Sequence, residues 1–158
     1  MKKRIIIFLT IIMGIIIISS IFIYRTSRQP LVQAKEETTR IAKESSELVT
    51  VNEFYWYNNK KTYFAVSGVN KKDENMIVIV EQKGGNVAVL NPGQFISENE
   101  AKQITYTETK PKKMLEARIG LDNDVPVWEV AYEQDNGKLG YYIVTAKEGK
   151  WVKDIKNI

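Results

Sequence analysis

Residues Ile5 to Tyr24 carry 16 apolar side chains in 20 positions, broken only by Thr10, Gly14, Ser19 and Ser20, with no charge among them. At 1.5 Å rise per residue that run crosses a bilayer, which takes ~20 residues. A cleaved signal peptide has a shorter apolar core, ~7 to 15 residues, and ends at a small-residue site. Here Ile21, Phe22, Ile23, Tyr24 and Arg25 supply no such site, so the run reads as an uncleaved anchor. Lys2, Lys3 and Arg4 on one flank outweigh Arg25 and Arg28 on the other, which keeps the short leading tail in the cytoplasm. The expected layout is a cytoplasmic tail (1–4), a single-pass transmembrane anchor (5–24) and an extracytoplasmic remainder at the cell membrane.

Charge and composition then narrow the chemistry. The chain of 158 residues has a net charge of +4, but setting Lys2, Lys3 and Arg4 aside leaves 20 basic against 19 acidic residues, a net of +1. A neutral remainder with interspersed signs is no nucleic-acid footprint. There is no cysteine and no histidine, which excludes disulfides, thiol catalysis, histidine triads and Cys/His zinc sites. A cysteine-free protein displayed outside the membrane fits a Gram-positive surface. No S-x-x-K, G-x-S-x-G or P-loop is present, so the expectation is a non-enzyme without catalytic residues, metal, cofactor or small-molecule substrate. Asp122 and Asp124 flank Asn123 ahead of Val125-Pro126, where solvated turn carboxylates are expected in place of a catalytic or calcium-binding pair.

Beyond the anchor, Leu31, Ala34, Thr38, Ile41, Ser45 and Leu48 recur at three- and four-residue spacing, the mark of a thin helical stripe, with Pro30 suited to a first turn. Glu36 with Arg40 and Lys43 with Glu47 are i, i+4 charge pairs. The stripe reads as a helix lying on its own domain; the alternative is a stalk that continues the membrane helix and self-associates. Four strands follow, at 51–57, 62–69, 76–82 and 86–90, joined by Asn58-Asn59-Lys60, the stretch 70–75 and Gly84-Gly85. After Asn91-Pro92-Gly93 the pattern restarts. Ser97 and Glu100 make a capping box, with Ala101 and Ile104 on the inner side of the helix. Leu115, Ala117, Ile119 and Leu121 alternate with Glu116, Arg118 and Gly120, giving one buried and one wet face. Strands at 127–133 and 139–146 flank Asp135-Asn136-Gly137, and 150–155 closes the second sheet.

A shift of 65 residues places Tyr63 on Trp128, Ala65 on Val130, Val78 on Ile143, Gly84 on Gly149 and Val87 on Val152, so helix plus four strands occurs twice. Each half is near the lower size limit for an independent core. The predicted class is α+β: an N-terminal transmembrane helix, a first helix-plus-sheet domain with its stalk (25–93) and a second (94–158). Each has one helix on a four-stranded antiparallel sheet and the other sheet face exposed.

The run Trp128-Glu129-Val130-Ala131-Tyr132, then Asn136-Gly137, Tyr141-Tyr142-Ile143-Val144, Gly149-Lys150 and Ile155, together with the anchor and the duplicated unit, resembles the YpmB/TseB-like family of Firmicutes. Residues 96–102 resemble the helix start of the wider PepSY group. Lys147-Glu148-Gly149-Lys150 departs from the family's usual polar-Thr-Gly-Lys turn but keeps the glycine. The resemblance implies two cystatin-like, PepSY-like units outside the membrane that regulate cell wall elongation by contact with a penicillin-binding transpeptidase. Two further readings stay open, a cystatin-like inhibitor of a secreted or membrane protease and a module binding cell wall polymer.

For a binding role, Phe54-Tyr55-Trp56-Tyr57 is an unbroken aromatic run whose alternation sends Tyr55 and Tyr57 to one face and Phe54 and Trp56 to the other. Tyr55, Trp56 and Tyr57 are the candidate partner contacts. The bland alternative is that one pair lies under a helix and the other stiffens the sheet against Tyr63 or Phe64. Trp128, Val130 and Tyr132 are expected in the core, and Trp151 stays open. Lys110, Lys112 and Lys113 around Pro111 read as the only basic cluster of the extracytoplasmic part, either a solvated loop or a contact for anionic wall polymer or lipid headgroups.

Overall fold

The computed structural model describes residues 2–158. The chain divides into two compact units, Met1–Glu37 and Thr38–Ile158. Helix α1 runs Lys2–Ser45 without an assigned break and contains Pro30, which removes one backbone donor from its ladder. In the first unit the side chains from Ile6 to Tyr24 are almost all exposed, and the helix is long and apolar enough to cross a membrane. The hydroxyl of Thr10 donates to the Ile6 carbonyl at 3.0 Å, so this polar group needs no water. Arg28 lies over the Tyr24 ring at 5.0 Å, a cation–π contact one turn along the helix.

In the second unit the last turns of α1 bury Thr38 and Ala42 and half-bury Ile41. The expected stripe shifts here: Ser45 faces solvent and its hydroxyl returns to the Ile41 carbonyl, while Leu48 reaches the core from the following strand. The helical charge pair formed is Arg40–Glu44 at 3.2 Å, and α1 ends before Glu47 could serve Lys43.

Strands β1 (Leu48–Asn58), β2 (Thr62–Asn70), β3 (Asn75–Glu81) and β4 (Val87–Leu90) form an antiparallel meander in that order. The turns use local chemistry. The Asn70 carbonyl oxygen of the side chain accepts from the amides of Lys72 and Glu74, Asp73 takes φ 62°, and Gly84 and Gly85 supply positive φ. One face of the sheet carries Phe54, Val66 and Val78 under Ala42 and Leu48. The other carries Tyr55, Tyr57, Tyr63, Ala65, Ile77 and Ile79 and packs into the core of the second sheet. β2 and β3 are therefore buried almost continuously. The expected exposed face is absent from this sheet, because the second half of the chain covers it.

Helix α2 (Glu98–Thr109) opens on the predicted capping box: the Ser97 hydroxyl accepts from the Glu100 amide, and the Glu100 carboxylate accepts from the Ser97 amide at 2.7 Å. That pairing holds the Glu100 carboxyl below its usual range. Strands β5 (Lys113–Asp122), β6 (Val125–Glu133), β7 (Leu139–Thr145) and β8 (Trp151–Ile155) repeat the meander. Ala101 and Ile104 pack on its core, as expected. Trp128, Val130 and Tyr132 are buried, and the Trp128 indole donates to the Ile96 carbonyl at 3.0 Å. The alternation along β5 holds at Ala117, Ile119 and Leu121 and fails at Leu115, where a register shift between Met114 and Ala117 leaves that leucine exposed. Gly120 departs as well. It is buried against the Tyr57 ring, and a Cβ there would lie 2.1 Å from Tyr57 Cδ1, so a bare backbone is what lets the two sheets meet.

Candidate functional site

β1 distributes its aromatic run over two faces. Tyr55 and Tyr57 point into the shared core, and Tyr57 is wholly buried. Trp56 faces outward at 46 % exposure and meets Phe64 edge-on at 5.6 Å, with Phe54 stacked on Phe64 at 5.9 Å. The three candidate contacts are thus separated. Trp56 presents a surface, whereas Tyr57 is a packing residue, because strand alternation hands it to the face that the second sheet covers. Burial pushes the Tyr57 phenol up to about 12, and its oxygen accepts from the Asn59 side-chain amide at 3.2 Å. Trp151, left open by the sequence, stands on edge strand β8 at 63 % exposure.

The lysine cluster is partly committed. Lys112 pairs with Glu133 at 2.9 Å, and Lys110 is the left-handed C-cap of α2, its amide donating to the Tyr106 carbonyl. Lys113 begins β5 and is exposed. A second grouping escaped the sequence, because its members lie on different hairpins: Lys60, Lys61 and Lys83 line one surface hollow with Glu81, and Lys60 donates to the Asn123 side chain at 3.1 Å. Lys61 binds Glu81 at 2.8 Å and Asn86 donates to it at 2.9 Å, holding that carboxyl below its usual range. Asn123 and Asp124 take positive φ in the two-residue hairpin between β5 and β6, and Asp122 pairs with Lys153 at 3.5 Å.

Between the first sheet and the start of α2 lies a cleft of about 260 Å³. Its floor includes Tyr55, Met76 and Trp128, and its rim includes Asn52, Asn75 and Asn99. Tyr55 and Trp128 meet edge to face at 5.4 Å. The Tyr55 hydroxyl donates to Glu98 at 2.9 Å, and Glu98 also pairs with Lys102 one turn along α2. Burial, with Glu98 and Glu53 adding negative charge nearby, raises the Tyr55 phenol above its ordinary range. Asn52 reaches the rim because it is the extra residue of a bulge: Val51 pairs with Gly68 and Glu53 with Ser67, leaving Asn52 unopposed.

Residues 37–81, from the last turns of α1 to the end of β3, match the model of the cell wall elongation regulator TseB-like domain. Over 160 residues the chain is 28 % identical to the probable cell wall elongation regulator TseB of Bacillus subtilis (strain 168), covering 98 % of this chain and 99 % of that protein. Over nearly its whole length the chain is thus similar to that regulator. A solved structure, the YpmB protein from Bacillus subtilis, superposes on this chain with a TM-score of 0.67 at 27 % identity, covering 77 % of this chain and 95 % of that one. The α+β architecture of two four-stranded antiparallel sheets, each with a helix, is shared with that structure. What the TseB-like relative contributes functionally is its description as a probable regulator of cell wall elongation.

Proposed function

We propose that the chain is a membrane-anchored, extracytoplasmic and non-enzymatic regulator of cell wall elongation that acts by contact with a penicillin-binding transpeptidase. The observation that carries this reading is Trp56, a large aromatic that faces outward on the first sheet and meets Phe64 edge-on. Aromatic anchors of that kind dominate protein–protein hot spots, and a well-packed strand presents one at little entropic cost. The apolar helix supports the anchoring, with 5–24 in the bilayer and Lys2, Lys3 and Arg4 on the cytoplasmic side. The relative's description supports the cellular role. A contact with anionic wall polymer would rest on Lys110, Lys112 and Lys113, and the pairing of Lys112 with Glu133 weakens that reading.

Capture from detergent-solubilised membranes tests it. A protein labelled by fluorescent penicillin co-purifies with the wild-type chain and is depleted with Trp56→Ala. Absence of any labelled band with the wild type, through exponential and stationary growth, overturns the reading.

A further inference from the structure

The second sheet keeps an open face where the first does not. Register sets Arg118, Glu129, Ile143 and Lys153 in one row across its four strands, on the face opposite Val130 and Tyr142. The next row is apolar. Ala131 pairs with Tyr141 and Tyr141 with Ile155, and the bulge between Met114 and Ala117 brings Leu115 opposite Ala131 on the same face. Leu115 and Ile155 are each 39 % exposed, Tyr141 is half-buried, and Ala131 is a small step between Leu115 and Tyr141, so the row is a notch with raised ends. Leu139, 36 % exposed, stands in the following row with Glu133 and Lys113. Backbone, symmetry and charge limit what can cover this surface. The strands β6 and β7 have neighbours on both sides, so a guest on the face must bring a backbone satisfied within itself, as a helix does and an added strand does not. Four strands ~4.8 Å apart make the row ~14 Å long, and helical positions i, i+4 and i+7 cover ~10 Å of it. A second copy fits poorly: packed face to face about a two-fold axis, it sets Arg118 against Lys153 or Glu129 against Glu133. The carboxylates of the face are committed, Glu116 and Glu129 to Arg118, Glu133 to Lys112 and Asp122 to Lys153, whereas Lys113 makes no ion pair among the described residues. The charge left to meet a guest is positive.

We propose that this face docks an amphipathic helix of a partner protein, laid across the strands with its apolar stripe on Leu115, Ala131, Tyr141 and Ile155 and a carboxylate on its flank at Lys113. One helical side chain seats in the step at Ala131, between Leu115 and the Tyr141 ring. Leu139 extends the apolar contact on the side of Lys113. The surface shares no residue with the Trp56 contact, so it neither needs that contact nor competes with it.

The test uses the full chain in nanodiscs of phosphatidylglycerol, whose negative surface repels an acidic probe, and follows methyl carbon-13 shifts. The probe is a capped peptide of two copies of the heptad Glu-Leu-Ala-Glu-Leu-Leu-Ala, which as a helix carries one leucine stripe with glutamates along a single flank. Saturable shifts at Leu115, Ala131 and Ile155 are expected. A probe with lysine in place of glutamate binds more weakly, and Lys113→Glu reverses that preference. Leu115→Ser and Ile155→Ser each weaken binding about ten-fold, equivalent to ~1.4 kcal/mol, with the methyl spectrum of the first sheet unchanged. Trp56→Ala leaves binding as it was. No saturable shift, equal affinity for the two probes, or the same shifts on concentrating the chain without peptide, which would mark contact between two copies, each overturns the proposal.

Discussion

Two neighbours on one strand face opposite ways, Trp56 outward and Tyr57 into the core, and substitution should separate them. Trp56→Ala removes a half-exposed ring that meets Phe64 edge-on, so it should cost ~1 kcal/mol in urea unfolding, well below the cost at Tyr57, while partner capture falls. Tyr57→Ala empties a fully buried site between the sheets and should cost ~3 to 5 kcal/mol in urea unfolding. Gly120→Ala forces a methyl into the Tyr57 ring and should cost ~1 to 3 kcal/mol in the same measurement. Glu129 gives the pH-dependent case. It is largely buried, and desolvation raises its carboxyl above the ordinary 4.5, with Arg118 at 3.7 Å and Lys153 only partly opposing. A raised folded value penalises the charged form, so the penalty is absent below pH 4.5 and grows as pH climbs through the folded value. Glu129→Gln should therefore raise the melting temperature at pH 7 and have no such effect at pH 4, where both side chains are neutral.

At the level of elements, local signals carried most of the information. Ser97 and Glu100 announced α2, and Ser97→Ala should cost ~1 kcal/mol of stability by removing the acceptor for the Glu100 amide, with helix content otherwise kept in circular dichroism. The strands fell where β-branched and aromatic runs placed them, and Asp73, Gly84, Gly85 and Gly149 took the positive φ that turns demand. The bulges were not legible. Pleat alternation assumes an unbroken ladder, so it placed Leu115 inside and gave no hint that Asn52 would be released toward a cleft. The coverage of both faces of the first sheet escaped for a related reason. Periodicity along one strand reports that a face is apolar but names no partner, and here that partner is supplied by residues roughly sixty positions further on.

Taken as one molecule, the residues after Glu37 share a core that draws on both sheets: Tyr57, Tyr63 and Ile79 from the first, Ile119, Trp128 and Val144 from the second. A chain of residues 38–158 should then unfold in one cooperative transition, with calorimetric and van't Hoff enthalpies equal, and the fragment 94–158 alone should lack a sharp melt. Two separate transitions in calorimetry would show each sheet to be self-sufficient. The candidate site was legible in part. Trp56 could be found because an aromatic run on a strand must leave half its rings on each side. The cleft could not, since Asn52, Asn75, Asn99 and Glu98 are ordinary polar residues until folding gathers them.

Strand β1 is a single layer of backbone with the Trp56 surface behind it and the asparagine-rimmed cleft in front. Tyr55 and Trp56 share one peptide plane, so any displacement of the buried tyrosine is carried to the outward tryptophan through a single backbone unit. The outward indole is therefore only as steady as the packing on the reverse of its own strand.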